Sequence, residues 1–343
     1  MQKNKQKPNS KIKERIIVSL VFFAMIFILV VSLFTVLFFY DFGKGKDFVL
    51  GVNFSRSYAD YLGVDPRETL FDILNELKVK HVRLSVPWNE VEKENGVYDF
   101  SDLDWQIEFA EQFGAKVILT VGRRTPHWPE CHDPEWLKNS DSDLIREKQL
   151  AMIKAVVENY KNREIIEMWQ VENEPMLDYF GECPPANYDL LREEISLVKT
   201  LDIRPILITD SGELSSWLPA SKAGDSFGTT MYRVVQNDFL GYIYYHLPPI
   251  FYNWKARILG LNLNDVLVAE LQAEPWAPNG ILNSALSEQF KSMDAKRLKS
   301  HVVYARKTGF RGAYLWGAEW WYYLAKIKGN NSLWETAKTF WEK

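Results

Sequence analysis

The amino-acid sequence predicts an α/β protein: a (β/α)8 TIM barrel preceded by a single N-terminal transmembrane helix. Three observations predict it: a long uncharged apolar run near the N-terminus, an alternation of short apolar runs with amphipathic stretches after it, and eight such short runs. The chain has 343 residues, 47% of them hydrophobic, so it can bury a large core. The chain therefore divides into a small membrane part and a large folded part.

The apolar run covers residues 16–40 and contains no charged residue. As a helix it would be about 37 Å long, which exceeds the roughly 30 Å of hydrocarbon in a bilayer. A cleaved signal peptide is the alternative. It would need an apolar region of about 7–15 residues and small residues at the cleavage point, and residues 38–41 offer none. We therefore expect an uncleaved signal anchor.

Charges on the two sides of this run predict its orientation. Six Lys and Arg residues and one Glu precede it, whereas the charges of residues 41–47 roughly cancel. The positive-inside rule therefore predicts a basic cytoplasmic tail over residues 1–15. Residues 41–47 are then a short linker and residues 48–343 an extracytoplasmic domain, tethered to the cell membrane by one transmembrane pass.

Eight short apolar runs rich in β-branched residues follow the linker, and most precede an amphipathic stretch. This alternation is typical of parallel α/β architecture, and eight strands suit a closed barrel of about 250 residues. The predicted strands are 48–54, 81–86, 116–121, 165–171, 205–209, 226–231, 266–270 and 312–316. The segment 239–261, which two consecutive prolines interrupt, is predicted to be a long loop and a helix.

Two of the helices carry clear end signals. Asp65 stands before Pro66 and three residues before Glu68, an arrangement that predicts the N-terminus of the helix after the first strand. Ser101 is the predicted N-cap of the helix after the second strand, and Gly114 is its predicted C-cap.

Composition narrows the classes of ligand. A net charge of −4 gives no basic field for a polyanion, so nucleic acid is not an expected partner. The 13 Trp, 16 Tyr and 20 Phe residues include rings of the kind that stack on sugars, although a large aromatic core accounts for most of them. The five histidines are scattered, so neither a metal site nor a metal-dependent hydrolase is expected. A neutral or mildly charged ligand is favoured.

Cys131 and Cys183 are the two cysteines of the chain. Each follows a predicted strand, the third and the fourth, so their loops would be neighbours at one end of the barrel. An extracytoplasmic pair is free to oxidise, which favours a disulfide over the alternative of two free thiols.

Two strand ends carry candidate catalytic groups. In a TIM barrel the C-terminal ends of the strands face the active site. The fourth predicted strand runs into Glu172-Asn173-Glu174, and the seventh ends in Glu270. Glycoside hydrolysis needs such a pair of carboxyl groups, one protonated and one ionised. Glu172 and Glu274 compete with Glu270, which is favoured because it closes the apolar strand; Glu274 lies in the following loop and is expected at most to contact substrate.

The triplet Asn173-Glu174-Pro175 at a fourth strand, with Glu270 closing the seventh, resembles the clan A glycoside hydrolases, TIM-barrel retaining glycosidases that include cellulases and β-galactosidases. The resemblance implies that Glu174 is the general acid/base and Glu270 the nucleophile. It implies double displacement without a cofactor, on a β-linked oligosaccharide or polysaccharide. Asn173 would then hydrogen-bond the 2-hydroxyl, and the two carboxyl groups would lie about 5 Å apart.

The resemblance extends to other positions. Trp88 opens a segment, residues 88–100, that is similar to one found after strand two in several of these families. Arg83 matches the clan's strand-two arginine near the nucleophile, and its alternative role is a structural ion pair. Tyr232 matches a strand-six tyrosine that hydrogen-bonds the nucleophile, with an ordinary buried phenol as the alternative. Trp316 matches a strand-eight tryptophan beneath the sugar.

His127 and Glu319 complete the candidate substrate contacts. They follow the third and eighth predicted strands, on the same predicted face as the carboxyl pair, and packing in a loop or in the core is the alternative. A different hypothesis for the whole chain is a non-catalytic, membrane-anchored carbohydrate-binding barrel. The presence of both glutamates counts against it.

Overall fold

The computed structural model describes residues 10–342. It begins with one long helix, α1 (Ser10–Phe39). The part of α1 from Lys13 to Phe39 is long and apolar enough to cross a membrane. The predicted apolar helix is therefore confirmed as a helix, whereas most of the predicted basic tail, residues 1–9, lies outside the described residues.

Eight parallel strands form the barrel. They are β1 (Val49–Asn53), β2 (His81–Ser85), β3 (Lys116–Val121), β4 (Ile166–Val171), β5 (Ile206–Asp210), β6 (Ser226–Met231), β9 (Val266–Gln272) and β10 (Gly312–Trp316). The barrel is closed, in the order β1-β10-β9-β6-β5-β4-β3-β2. The predicted (β/α)8 fold is therefore confirmed, and all eight predicted strands are present.

Helices cover the outside of the barrel. They are α2 (Arg56–Leu62), α3 (Pro66–Asn75), α4 (Trp88–Val91), α5 (Ser101–Phe113), α6 (Ser142–Tyr160), α7 (Tyr188–Leu201), α8 (Pro249–Ile258), α9 (Leu286–Ser292), α10 (Ala295–Lys307), α11 (Ala318–Lys326) and α12 (Ser332–Lys338). Single turns of 3-10 helix occur at Glu135–Leu137, Ala220–Lys222 and Leu263–Asp265.

The predicted helix ends are confirmed except at one position. Asp65 accepts a hydrogen bond from the backbone N–H of Glu68 at 2.9 Å, and Gly114 ends α5 in the left-handed conformation. The prediction that Ser101 is an N-cap is wrong, because α5 begins at Ser101 itself. The Asp99 carboxylate instead accepts from the Ser101 N–H at 3.0 Å.

The segment 239–261, predicted as a loop and a helix, contains both, and also the second strand of a hairpin that begins before it. Strands β7 (Val234–Asn237) and β8 (Gly241–Tyr244) pair antiparallel outside the barrel, and α8 then begins at Pro249. The hairpin was not predicted because β7 starts three residues after β6 ends, so the two strands look like one irregular run.

Apolar side chains fill the inside of the barrel. Ile118, Met168 and Leu207 pack there with residues of β9 and β10, all of them nearly fully buried. A second layer between the strands and the helices contains Trp320 and Trp321, which have no exposed surface. The packed interior closes the barrel below its upper rim, so the polar groups at the C-terminal strand ends face outward into one cleft.

Candidate active site

The C-terminal strand ends open into a cleft of about 660 Å³, and both predicted catalytic glutamates, Glu174 and Glu270, line it. The cleft is largely aromatic. Its aromatic lining consists of Tyr58, Tyr61, Trp128, Phe180, Tyr232, Tyr245, Trp276 and Trp316.

Both carboxylate oxygens of Glu270 are engaged by donors. A guanidinium N–H of Arg83 donates to Oε1 at 3.1 Å, and the Tyr232 hydroxyl donates to Oε2 at 2.9 Å. The ion pair is almost fully buried. The cation and the second donor together fix the Glu270 side chain, which lines the cleft.

Arg83 is itself fixed in place by three side-chain oxygens. It donates from Nε to Gln170 at 2.7 Å, and from its two terminal nitrogens to Asn53 at 2.8 Å and Asn173 at 2.7 Å. The roles of Asn53 and Gln170 were not predicted. In the sequence, each of them appears only as a polar residue within an apolar strand or at its end. That pattern does not show that the residue hydrogen-bonds Arg83.

Glu174 lies in a contrasting environment. It is buried, and its Oε1 has no hydrogen-bond partner among the residues that the structure describes. Burial raises the pKa of Glu174 well above its usual value, and the negative charges of Glu270 and Glu130 raise it further. Burial and these neighbouring charges therefore favour the protonated form of Glu174.

Backbone strain is concentrated beside this pair. Glu172 and Glu174 have φ angles of 61° and 45°, in the left-handed region that side chains rarely adopt. Such residues cost about 1–3 kcal/mol each and cluster at functional sites. The Glu172 carboxylate accepts the backbone N–H groups of Arg123 and Arg124 at 2.8 and 2.6 Å. Glu172 therefore links the end of β4 to the backbone that follows β3, and it does not line the cleft.

The loops after β3 and β4 form one wall of the cleft. Cys131 and Cys183 are disulfide-bonded, with their Cα atoms 5.3 Å apart. The Arg124 guanidinium also donates to the carbonyl oxygens of Leu177 at 2.8 Å and Phe180 at 2.7 Å. The two loops are thus joined covalently and by hydrogen bonds.

A third carboxyl group, that of Glu130, lines the cleft on this wall. It is buried, and its Oε2 accepts a hydrogen bond from the Asn173 amide at 3.0 Å. Burial raises the pKa of Glu130 to about 8, with a further contribution from the charge of Glu270. Sequence reasoning missed Glu130 because it lies in an irregular loop, where no periodic pattern shows which way a side chain points.

Glu130→Gln is expected to stabilise the protein increasingly as the pH rises. A carboxyl group whose pKa rises from 4.5 to about 8 on folding destabilises the native state progressively between those two values, because the unfolded chain loses the proton first. Glutamine cannot ionise, yet it retains an acceptor for Asn173. Thermal unfolding at pH 5, 6.5 and 8 should show a melting-temperature difference from the wild type that grows with pH. Glu182→Gln, at an exposed position, is the control, and a difference independent of pH would contradict the assignment.

Asn173 is buried beside Glu174, and both ends of its amide are engaged. Its oxygen accepts from Arg83 at 2.7 Å, and its nitrogen donates to Glu130 at 3.0 Å. The amide orientation is therefore fixed by a cation on one side and a carboxyl group on the other. Its contact with a sugar hydroxyl remains a prediction.

Trp316, Glu274 and His127 all line the cleft, as predicted for substrate contacts. Glu274 accepts the Trp316 indole N–H at 2.9 Å and the Tyr58 hydroxyl at 2.7 Å, so it fixes two aromatic rings. The His127 ring lies 4.2 Å from that of Trp316. Burial lowers the pKa of His127 to about 3, which keeps the imidazole neutral.

Four predicted substrate contacts do not line the cleft: Arg83 and Asn173, which lie beneath it in the hydrogen-bond network described above, and Trp88 and Glu319. Trp88 has no exposed surface, and its indole donates to the Glu92 carboxylate at 2.6 Å. Glu319 is buried and accepts the backbone N–H of Ser55 at 2.6 Å. The predictions for Trp88 and Glu319 are corrected for the same reason: each side chain turns away from the rim to satisfy a buried polar partner.

The chain is similar to known glycosidases in sequence and in fold. The glycoside hydrolase 42 family model, described as β-galactosidase, matches residues 65–204, a region that includes Asn173 and Glu174. The β-galactosidase BgaA of Clostridium cellulovorans is 25% identical over 196 residues, which make up 49% of this chain and 29% of BgaA. The chain thus matches less than a third of the length of that relative.

Solved structures of glycosidases share the barrel. A β-galactosidase from Halorubrum lacusprofundi aligns with a TM-score of 0.54 and 15% identity, over 78% of this chain and 52% of that one. Xylanase 10B from Thermotoga petrophila RKU-1 aligns with a TM-score of 0.53 and 15% identity, over 86% of this chain and 95% of that one. The predicted resemblance to the clan A glycoside hydrolases is therefore confirmed, with a family match over residues 65–204, which include the Asn-Glu motif, and a fold match over most of the chain.

Proposed function

We propose that this chain is a retaining β-glycoside hydrolase, with Glu270 as nucleophile and Glu174 as general acid/base. The observation that carries the proposal is the contrast between two carboxyl groups in one cleft. Glu270 is bound by the Arg83 guanidinium and the Tyr232 hydroxyl, whereas Glu174 is buried without a charged partner of its own and its pKa is raised. Double displacement requires this division of roles.

The same electrostatics accounts for the change of role that Glu174 must undergo. In the first step Glu270 attacks the anomeric carbon, and Glu174 protonates the leaving oxygen. Glu270 then becomes an ester and loses its charge, which removes a contribution that raises the pKa of Glu174. The pKa of Glu174 therefore falls after it has given up its proton, so Glu174 stays ionised and can accept a proton from water in the second step.

Charge and shape of the cleft favour a neutral sugar. Five glutamates line the cleft, and no Lys or Arg occurs among the described residues that line it. Such a surface offers no cation to bind a uronate or a sulfated glycan, while its aromatic side chains suit the apolar faces of uncharged pyranose rings. Because the matched relatives are named β-galactosidases, β-galactosides are the first substrates to test.

We further propose that α1 is an uncleaved signal anchor, with the barrel outside the cytoplasm. The length and apolarity of α1, the basic residues before it and the disulfide in the barrel all support this topology. Expressed in intact cells, the full chain should sediment with membranes after alkaline washing, and its barrel should be digested by protease added outside. A soluble mature chain would show cleavage instead.

The activity is tested on the full chain in detergent, with aryl β-glycosides and β-linked oligosaccharides. Proton NMR of the first-formed product should show the β-anomer, the outcome of carboxyl groups about 5 Å apart. Glu270→Gln should abolish turnover of all these substrates, and Glu174→Gln should strongly reduce it on the oligosaccharides, whose leaving groups need a proton, whereas Glu182→Gln, at an exposed position after β4, should keep it. Sugar binding without turnover, unchanged in both variants, would favour the non-catalytic carbohydrate-binding alternative.

Tyr232→Phe is expected to lower kcat/KM about 10- to 100-fold. The variant loses a hydrogen bond to a charged carboxylate, worth about 1.5–3 kcal/mol, and each 1.36 kcal/mol corresponds to about tenfold in rate. Steady-state kinetics on an aryl glycoside checks the value. Tyr245→Phe is the matched control, because Tyr245 lines the same cleft without contacting Glu270. If both variants lost kcat/KM equally, the role assigned to Tyr232 would be contradicted.

A further inference from the structure

The segment that joins α1 to the barrel is packed against it rather than free. The backbone N–H of Phe42 donates to the carbonyl oxygen of Lys307 at 3.1 Å. A Cβ atom at Gly43 would lie 2.0 Å from the carbonyl oxygen of Arg306, so this position accepts only glycine. The sequence led us to expect a simple tether over residues 41–47. These contacts instead fix the segment to the end of α10.

This attachment point sets which way the barrel faces. The turn between α10 and β10 lies at the N-terminal ends of the strands, whereas the cleft lies at their C-terminal ends. Helix α6, which runs between those two ends, has 19 residues and spans about 28 Å. The chain therefore passes from α1 into the end of the barrel opposite the cleft, roughly 30 Å away from its opening.

Helix α8 lies beside the end of α1. The two helices are in contact, and Arg257 of α8 borders the same groove as Phe39 and Tyr40. The last residue of α8, Ile258, precedes β9, so this end of α8 also lies at the N-terminal ends of the strands.

Three apolar side chains form a row on the exposed face of α8. Phe251, Trp254 and Ile258, spaced i, i+3 and i+7, are 37%, 47% and 82% exposed. We call these three residues the α8 stripe. Single exposed apolar residues need no explanation, but a row on one helix face beside an apolar helix indicates an apolar surrounding. Exposed Lys44 and Lys46 near the same end of α1 suit lipid phosphates.

We propose that the C-terminal part of the α8 stripe, Trp254 and Ile258, lies in the headgroup region of the bilayer that α1 spans, so that the barrel stands on the membrane with its cleft facing away. The inference rests on the proposed membrane anchor and extends it to a second surface. Trp254 suits this depth, since its ring is apolar and its N–H is polar. With the cleft roughly 30 Å from the bilayer, the enzyme takes glycans that extend away from the surface rather than lipid headgroups.

The test uses the full chain reconstituted in phosphatidylcholine vesicles. Because both native cysteines are bonded to each other, Trp254→Cys, Ile258→Cys and Val97→Cys each introduce a single reactive thiol. Val97 is exposed in the loop after α4, at the cleft end of the barrel. An environment-sensitive fluorophore is attached to each, and quenching by a spin-labelled lipid is compared with quenching by aqueous iodide.

The lipid quencher should act several-fold more strongly on labels at positions 254 and 258 than on the label at 97, with the reverse order for iodide. Equal iodide quenching at all three sites, with no lipid quenching, would overturn the proposal. A fourth variant, Ile28→Cys in the middle of α1, separates the two possible failures. Its label is quenched by lipid if the anchor is inserted, whether or not the α8 stripe touches the membrane.

Discussion

Glu270→Ala is expected to lower kcat on the order of 10⁵-fold or more, the scale expected when the nucleophile of a cooperating catalytic set is removed. The substitution leaves a space next to Arg83, whose guanidinium loses its carboxylate partner. Azide is a small anion that fits such a space and is attracted to the cation. Added azide should therefore restore turnover of an activated aryl β-glycoside and form the α-glycosyl azide, since a single displacement inverts the anomeric centre. Proton NMR of the product checks this.

Stability provides an independent readout for the same variant. Breaking a buried ion pair by removing one partner costs about 3–5 kcal/mol, so the melting temperature of Glu270→Ala should fall and azide should raise it. Glu270→Gln, which fills the space, should be equally inactive and should not respond to azide. A β-glycosyl azide from Glu270→Ala would show that another residue is the nucleophile.

Glu174→Ala is expected to lower kcat/KM about 10²- to 10⁴-fold on substrates with poor leaving groups, because their departure needs a proton. Dinitrophenyl glycosides should react nearly normally in the first step, since that leaving group departs as an anion. Azide should yield the β-glycosyl azide here, because it intercepts the ester on Glu270 and inverts the centre a second time.

The pH dependence of kcat/KM provides a control for the role assigned to Glu174. The first step requires protonated Glu174, so kcat/KM of the wild type should fall as the pH rises through the elevated pKa of that group. With a dinitrophenyl glycoside, Glu174→Ala should lose this alkaline limb. An alkaline limb that persists unchanged in the variant would assign it to a different group.

The sequence was sufficient for the fold because its signals are local. Eight short runs rich in β-branched residues, most of them followed by an amphipathic stretch, identify the barrel strands, and Gly114 marks a helix end through its own backbone preference. The hairpin β7–β8 was not predicted, because its strands have only four residues each and β7 follows β6 after only two residues. Local pattern cannot separate a short hairpin from a loop in that position.

For the site, the sequence by itself determined the groups on strand ends. Arg83, Glu174 and Glu270 belong to different strands, and the topology of a barrel brings their ends to one rim whatever the loops do. The tertiary structure alone decided what the loops contribute. Glu130 enters the cleft from irregular backbone, which has no period that fixes side-chain direction, and Trp88, at the start of the four-residue helix α4, turns into the core. The protonation of each carboxyl group likewise depends on burial and on partners distant in sequence, which only the folded chain brings together.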